Sequence, residues 1–185
     1  MTLPLPSWVV TVLMQDDALA LNRAIGIVRR RNLVVSSVSL GPSTRIGVSR
    51  LTTIVATDES AVERMANQLR KMVGVLEVTV APEADCITRE HALVRVRVTP
   101  AELAALLDTA ELYQARVVEE SPSEVVFEAT ASPATLVSLL RALEPFGVLD
   151  VVRGGAIALG RPAPPEPAAG RPSLPPVRVA RAIPA

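Results

Sequence analysis

Aromatic side chains are nearly absent from this 185-residue sequence, which has one Trp, one Tyr and two Phe. A surface that stacks nucleic-acid bases needs such rings. The formal net charge is zero, with 19 basic against 19 acidic residues. There is therefore no electrostatic case for nucleic acid or an anionic membrane. A single cysteine, Cys86, excludes an internal disulfide framework and fits a reducing compartment. No apolar run approaches the ~20 residues of a spanning helix. The opening MTLPLPSWVV lacks the basic and apolar regions of a signal peptide. These absences point to a soluble, cytoplasmic protein whose core is built from Val, Leu, Ile and Ala.

Catalytic groupings are equally scarce. His91 is the single histidine, placed at the start of an expected strand, and reads as a satisfied surface or core residue. Cys86 has no companion cysteine for a zinc site or a thiol relay. No Gly-x-Ser-x-Gly elbow occurs. The acid pairs Asp16/Asp17 and Glu119/Glu120 are sequence neighbours, which usually point apart or cap a helix. Gly154-Gly155 has no following helix and suggests a bulge rather than a phosphate cradle. Arg29, Arg30 and Arg31 end an expected helix, where positive charge complements the macrodipole. Metal ligation and enzymatic catalysis are not expected.

What is present is a repeated pattern. The run 8-WVVTVLM-14 reads as a strand. Asp16 and Asp17 can cap a helix through Arg30, with Leu21, Ile25 and Val28 at helical spacing. The runs 34-VVSSVSL-40 and 48-VSRLTTIVA-56 read as strands around a glycine-containing turn region. On the first of these, Val34, Ser36, Val38 and Leu40 are expected on one face, with Val35, Ser37 and Ser39 on the other. Asp58 starts a second helix bearing Val62, Met65, Leu69 and Met72, and 75-VLEVTVA-81 is a final strand.

The order then recurs. A strand at 92-ALVRVRV-98 precedes Thr99-Pro100-Ala101-Glu102, a capping-box helix start. Strands 113-YQARVVEE-120 and 124-EVVFEAT-130, a helix from Ser132-Pro133 and a strand at 148-VLDVVRGGAIALG-160 follow. LRKMVGVLEV (69–78) and LRALEPFGVLDV (140–151) are an internal echo at the same place in each unit. The expected fold is α+β, with two tandem ferredoxin-like βαββαβ units over 1–83 and 84–160. Residues 161–185 are rich in proline, without apolar period, and read as a disordered tail.

Five stretches in order, 21-LNRAIGIVRRRNLVVSSVSL-40, 49-SRLTTIV-55, 68-QLRKMVGVLEV-78, 89-REHALVRV-96 and 148-VLDVVRGGAIALGR-161, carry a family resemblance. The chain resembles the small regulatory subunit of acetohydroxyacid (acetolactate) synthase, whose first domain is an ACT domain. The resemblance implies a homodimer without its own active site. It implies partnership with a large subunit that carries the cofactors, thiamine diphosphate and magnesium, none being expected on this chain. It further implies feedback by valine or another branched-chain amino acid, bound between two ACT domains beside the turn from first strand to first helix.

In that family the turn reads Asn-x-x-Gly-(Ala/Val)-Leu, followed shortly by Arg. Here Ala20, Leu21 and Arg23 match, but Asp16 stands for asparagine and Leu19 for glycine. The family's Arg-Gly-Tyr/Phe-Asn-Ile appears as Arg31-Asn32-Leu33-Val34-Val35, so Val34 replaces an asparagine that faces the effector. The resemblance thus places effector binding at Asp16, Leu19, Ala20, Leu21, Val34 and Val35, with sensing weakened or altered. A leucine fills space that glycine leaves open, and valine removes a donor and acceptor. Two other readings stay open: a stand-alone ACT-type sensor, and a structural interaction module with a filled pocket.

Overall fold

The computed structural model describes residues 5–30 and 33–162. Most of the proline-rich tail, from residue 163, lies outside the described residues, as do Arg31 and Asn32.

The first unit runs β1 (Ser7–Gln15), α1 (Ala18–Arg30), β2 (Val34–Pro42), β3 (Val48–Ala56), α2 (Glu59–Arg70) and β4 (Val75–Pro82). Its four strands order as β2-β3-β1-β4, all antiparallel. A short 3₁₀ turn (Glu83–Asp85) leads to the second unit: β5 (Cys86–Arg97), α3 (Leu103–Leu112), β6 (Arg116–Glu120), β7 (Glu124–Ala131), α4 (Pro133–Leu143) and β8 (Val148–Arg153). Its order is β6-β7-β5-β8, the same topology. A last strand, β9 (Ile157–Gly160), pairs with the beginning of β5. The expected pair of βαββαβ units is present.

Local chemistry explains most boundaries. Asp58 and Ser132 cap α2 and α4, each accepting an N–H three residues on. The expected box at α3 is only half made. Thr99 donates both its amide and its hydroxyl to the Glu102 carboxylate, so Thr99 Oγ1 accepts nothing from the helix and regular helix begins at Leu103. The strand expected from residue 113 begins at Arg116, because Tyr113 and Gln114 finish the turn after α3, Gln114 at φ 57°. The internal echo has a structural counterpart. Gly74 and Gly147 take φ near +90°, a conformation L side chains avoid, and their carbonyls accept from Gln15 and Arg97 at matching places.

Each sheet packs one face on its helices. In the first unit Val10, Val12, Met14, Leu51 and Val55 meet Ala20, Ala24 and Val28 of α1, and Val62, Met65, Ala66 and Leu69 of α2. The α1 face is thus one built on small alanines that let the helix approach the sheet. Ile25, expected on the buried stripe with Leu21 and Val28, is 43% exposed.

Two other expectations change. β2 carries a bulge between Val35 and Ser37, and a one-residue insertion reverses the facing of everything beyond it. Val35, Val38 and Leu40 oppose Val55, Thr53 and Leu51 on the helix face, while Ser37 opposes Ile54 on the other. Val34 and Val38 therefore face opposite ways. The final strand is also not continuous, because it breaks at Gly154–Ala156 between β8 and β9. β5 is correspondingly longer than the expected strand, with every second residue from Cys86 to Val96 buried. Its first four residues pair with β9 to form a ribbon over the helix-free face of the first sheet, where Val9, Ile54, Cys86 and Ala156 form a small core.

Candidate functional site

The turn from β1 to α1 is held from three directions. Gln15 N–H donates to the Gly74 carbonyl at 2.8 Å, and Asp16 N–H to the Gly47 carbonyl at 2.9 Å. Asp16 Oδ1 accepts from the Ser49 hydroxyl at 2.8 Å. The chain then enters α1 with Asp17 as its cap: Oδ1 accepts from Leu19 N–H at 3.1 Å, and Oδ2 from Ala20 N–H at 3.3 Å. The Asp17 carbonyl accepts from Leu21 N–H. The positive end of the helix is thus met by the chain's own carboxylate.

Beside this turn lies a cavity of about 240 Å³, lined by Met14, Gln15, Asp16, Asp17, Ala18, Leu21, Leu40 and Ser49. Of the six residues the resemblance assigned, Asp16 and Leu21 line it. Ala20 is buried beneath it against the sheet, and Leu19 is 53% exposed beside its mouth on the first turn of α1. Val34 and Val35 lie at the other end of edge strand β2 from Leu40, on opposite faces of the strand. Within one chain they are not gathered with the turn. Six lining residues fall outside that assignment: Met14, Gln15, Asp17 and Ala18 at the turn itself, and Ser49 and Leu40 on neighbouring strands. The signal for Leu40 is its place on the same exposed edge strand; Ser49 is found only through the register that sets Met14 opposite it.

The chemistry of the cavity is one-sided. Its polar lining includes two carboxylates, and Asp17 already occupies two of the first-turn amides, those of Leu19 and Ala20. An anion approaching here meets negative charge and no open donor at Leu19 or Ala20. An ammonium meets Asp16, whose second oxygen accepts no hydrogen bond among the described residues.

Comparison with known proteins settles the family. A family model described as "AHAS small subunit-like ACT domain" matches residues 11–77. Another, "Small subunit of acetolactate synthase", matches residues 89–162. The acetolactate synthase small subunit of Mycolicibacterium smegmatis is 30% identical over 156 residues, covering 84% of this chain and 92% of that protein. This chain belongs to the acetolactate synthase small subunit family. The small subunit of Mycobacterium leprae is 31% identical over 157 residues, covering 85% of this chain and 93% of the other. The crystal structure of the Thermotoga maritima small subunit shares the fold, with a TM-score of 0.78 and 24% identity over 85% of this chain and 98% of that one.

The match of the small-subunit family runs across both βαββαβ units and ends with β9. The ribbon and the break at Gly154–Ala156 therefore lie within the family's own extent. Among the described residues no helix is long and apolar enough to cross a membrane.

Proposed function

We propose that this small subunit binds and activates the thiamine diphosphate- and magnesium-dependent large subunit of an acetolactate synthase, serving branched-chain amino-acid biosynthesis in the cytoplasm. In this reading it has no active site of its own, and the cofactors belong to its partner. The observation that supports it is the continuity of the likeness to curated small subunits, through the ACT domain and the second unit alike.

It forms a homodimer through edge strand β2, whose exposed Val38 and Leu40 and unpaired backbone groups are an edge that needs covering. Such pairing sets the β1–α1 turn of one copy near β2 of the other, which brings Val34 and Val35 to a site they do not reach within a single chain.

Its feedback response to valine is weakened or altered. The Asp17 cap removes two amide donors from the helix start. Two unit charges of like sign about 5 Å apart repel by about 3 kcal/mol at an effective dielectric near 20. That exceeds the ~1 kcal/mol net gain of an ordinary hydrogen bond, so a carboxylate at the usual helix-start position is disfavoured. The Asp16 carboxylate attracts the effector's ammonium, and the amino acid is turned rather than merely lost.

Co-sedimentation with the large subunit of the same organism tests the partnership. One faster boundary containing both chains is expected. Two unchanged boundaries at micromolar concentration would leave the assignment without its partner.

A further inference from the structure

On the opposite face of β1 from the turn cavity, a second cavity of about 320 Å³ lies between the first sheet and the β5–β9 ribbon. Val9, Thr11 and Leu13 of β1 form its floor, Thr79 and Ala81 one wall, and Cys86, Ala158 and Gly160 the ribbon side. Its charged lining is Arg50 from β3 and Glu77 from β4. Both are register partners of Leu13. They therefore stand level with each other on either side of β1, about 10 Å apart at the backbone, two strand spacings.

Among the described residues neither Arg50 nor Glu77 makes a side-chain hydrogen bond or an ion pair. Elsewhere on the strands some opposite charges do meet, as Arg116 with Glu128 and Arg153 with Glu90. A cation and an anion thus face one mouth, unneutralised, with a largely apolar hollow between and beneath them that also carries Thr11 and Thr79. A ligand that satisfies all three features carries a carboxylate, an ammonium and a compact alkyl group.

We propose that this cavity binds a small aliphatic α-amino acid. Arg50 receives the carboxylate through its guanidinium donors. Glu77 accepts from the ammonium, and the alkyl group lies among Val9, Ala81, Cys86 and Ala158. A simple carboxylic acid satisfies Arg50 but leaves Glu77 repelling it, and a simple amine does the reverse. The lining offers no aromatic ring for a flat side chain. Because the floor belongs to the first unit and the ribbon to the second, occupancy ties the two together. The inference stands apart from the β1–α1 turn and does not depend on how that turn senses.

L-Leucine is the probe, with binding to the full chain followed by calorimetry. Alkylation of Cys86 by iodoacetamide, the single thiol in the sequence, reports occupancy at the site itself. Leucine is expected to bind and to slow alkylation. Arg50→Gln and Glu77→Gln, both surface changes compatible with folding, are each expected to weaken binding roughly tenfold or more, the scale of one charge-assisted contact. The deaminated keto acid and the decarboxylated amine of leucine should each bind at least as weakly. Asp16→Asn should leave Cys86 protection unchanged. The proposal is overturned if the folded protein binds no leucine at millimolar concentration. It is equally overturned if Arg50→Gln and Glu77→Gln leave binding intact, or if Asp16→Asn abolishes the protection. None of these outcomes bears on association with a large subunit.

Discussion

Ser37 Oγ accepts a hydrogen bond from the Ala156 amide at 2.6 Å, joining residues 119 apart in sequence. Both are buried, and the bond ties edge strand β2 of the ACT domain to the segment that carries the ribbon. The bulge in β2 is what turns Ser37 toward it. Replacing Ser37 by alanine leaves a buried N–H without a partner, at a cost of about 1–3 kcal/mol. A fall in denaturation midpoint of that size is expected, with faster hydrogen exchange at Ala156. Unchanged exchange there would mean that the bond contributes nothing to docking of the ribbon.

Gly155, the neighbouring residue, has no room for a side chain. A Cβ built there falls 2.0 Å from the Val38 carbonyl oxygen and 2.7 Å from its carbon. These are backbone atoms of a hydrogen-bonded strand, so relief requires the ribbon to move. Gly155→Ala is expected to destabilise by roughly 1–3 kcal/mol and to expose Cys86 to thiol reagents. A variant as stable as the parent, with Cys86 still protected, would contradict this packing.

Much of this architecture is legible in the sequence, and the exceptions have a common cause. Strand and helix order follow from period, caps and turn residues, as at Asp58, Ser132 and Gly74. The facing of Val34 and Val38 does not, because alternation assumes no bulge and the extra residue at Ser36 has no distinctive side chain. Gly154-Gly155 reads as a bulge in sequence and proves to be the crossing between two strands. Only the approach of Val38, distant in sequence, explains why glycine stands there. At the candidate site, Asp17 is visible as a cap but its occupation of both Leu19 and Ala20 amides is not. Ser49 is likewise beyond local reasoning.

Glu90 is buried at 8% exposure and pairs with Arg153 on the adjoining strand. Arg153→Leu strands that carboxylate. Breaking a fully buried pair costs about 3–5 kcal/mol. The Arg153 side chain is 34% exposed, so roughly 2–3 kcal/mol is expected after screening. Glu90→Gln combined with Arg153→Leu should recover most of the loss in a chemical denaturation cycle. Full additivity of the two changes would show that the pair is not coupled.

Burial is the largest cause raising the Cys86 thiol above its ordinary value, with Asp85 and Glu83 adding to it. A group whose folded pKa is raised holds its proton more tightly when folded. Its contribution to stability is therefore present at neutral pH and lost as pH rises through the raised value. Iodoacetamide modification of the native chain should lag behind that of the unfolded chain most clearly in mildly alkaline buffer. Equal rates at every pH would contradict burial of the thiol.

The altered turn predicts a gain on repair. On the proposed reading of the turn, Leu19→Gly with Val34→Asn and Asp16→Asn restores the pattern that the resemblance implies. The combined variant is expected to bind valine about ten times or more tighter, the scale of one recovered buried polar partner. Thermal shift with saturating valine reads the change. No gain would mean that Asp16, Leu19 and Val34 do not limit effector binding.

The most direct test of the regulatory assignment is the rate of acetolactate formation by the same organism's large subunit, titrated with this chain with and without valine. Activation is expected to saturate with added small subunit and to be reversed only weakly by valine. No activation at any ratio would contradict it.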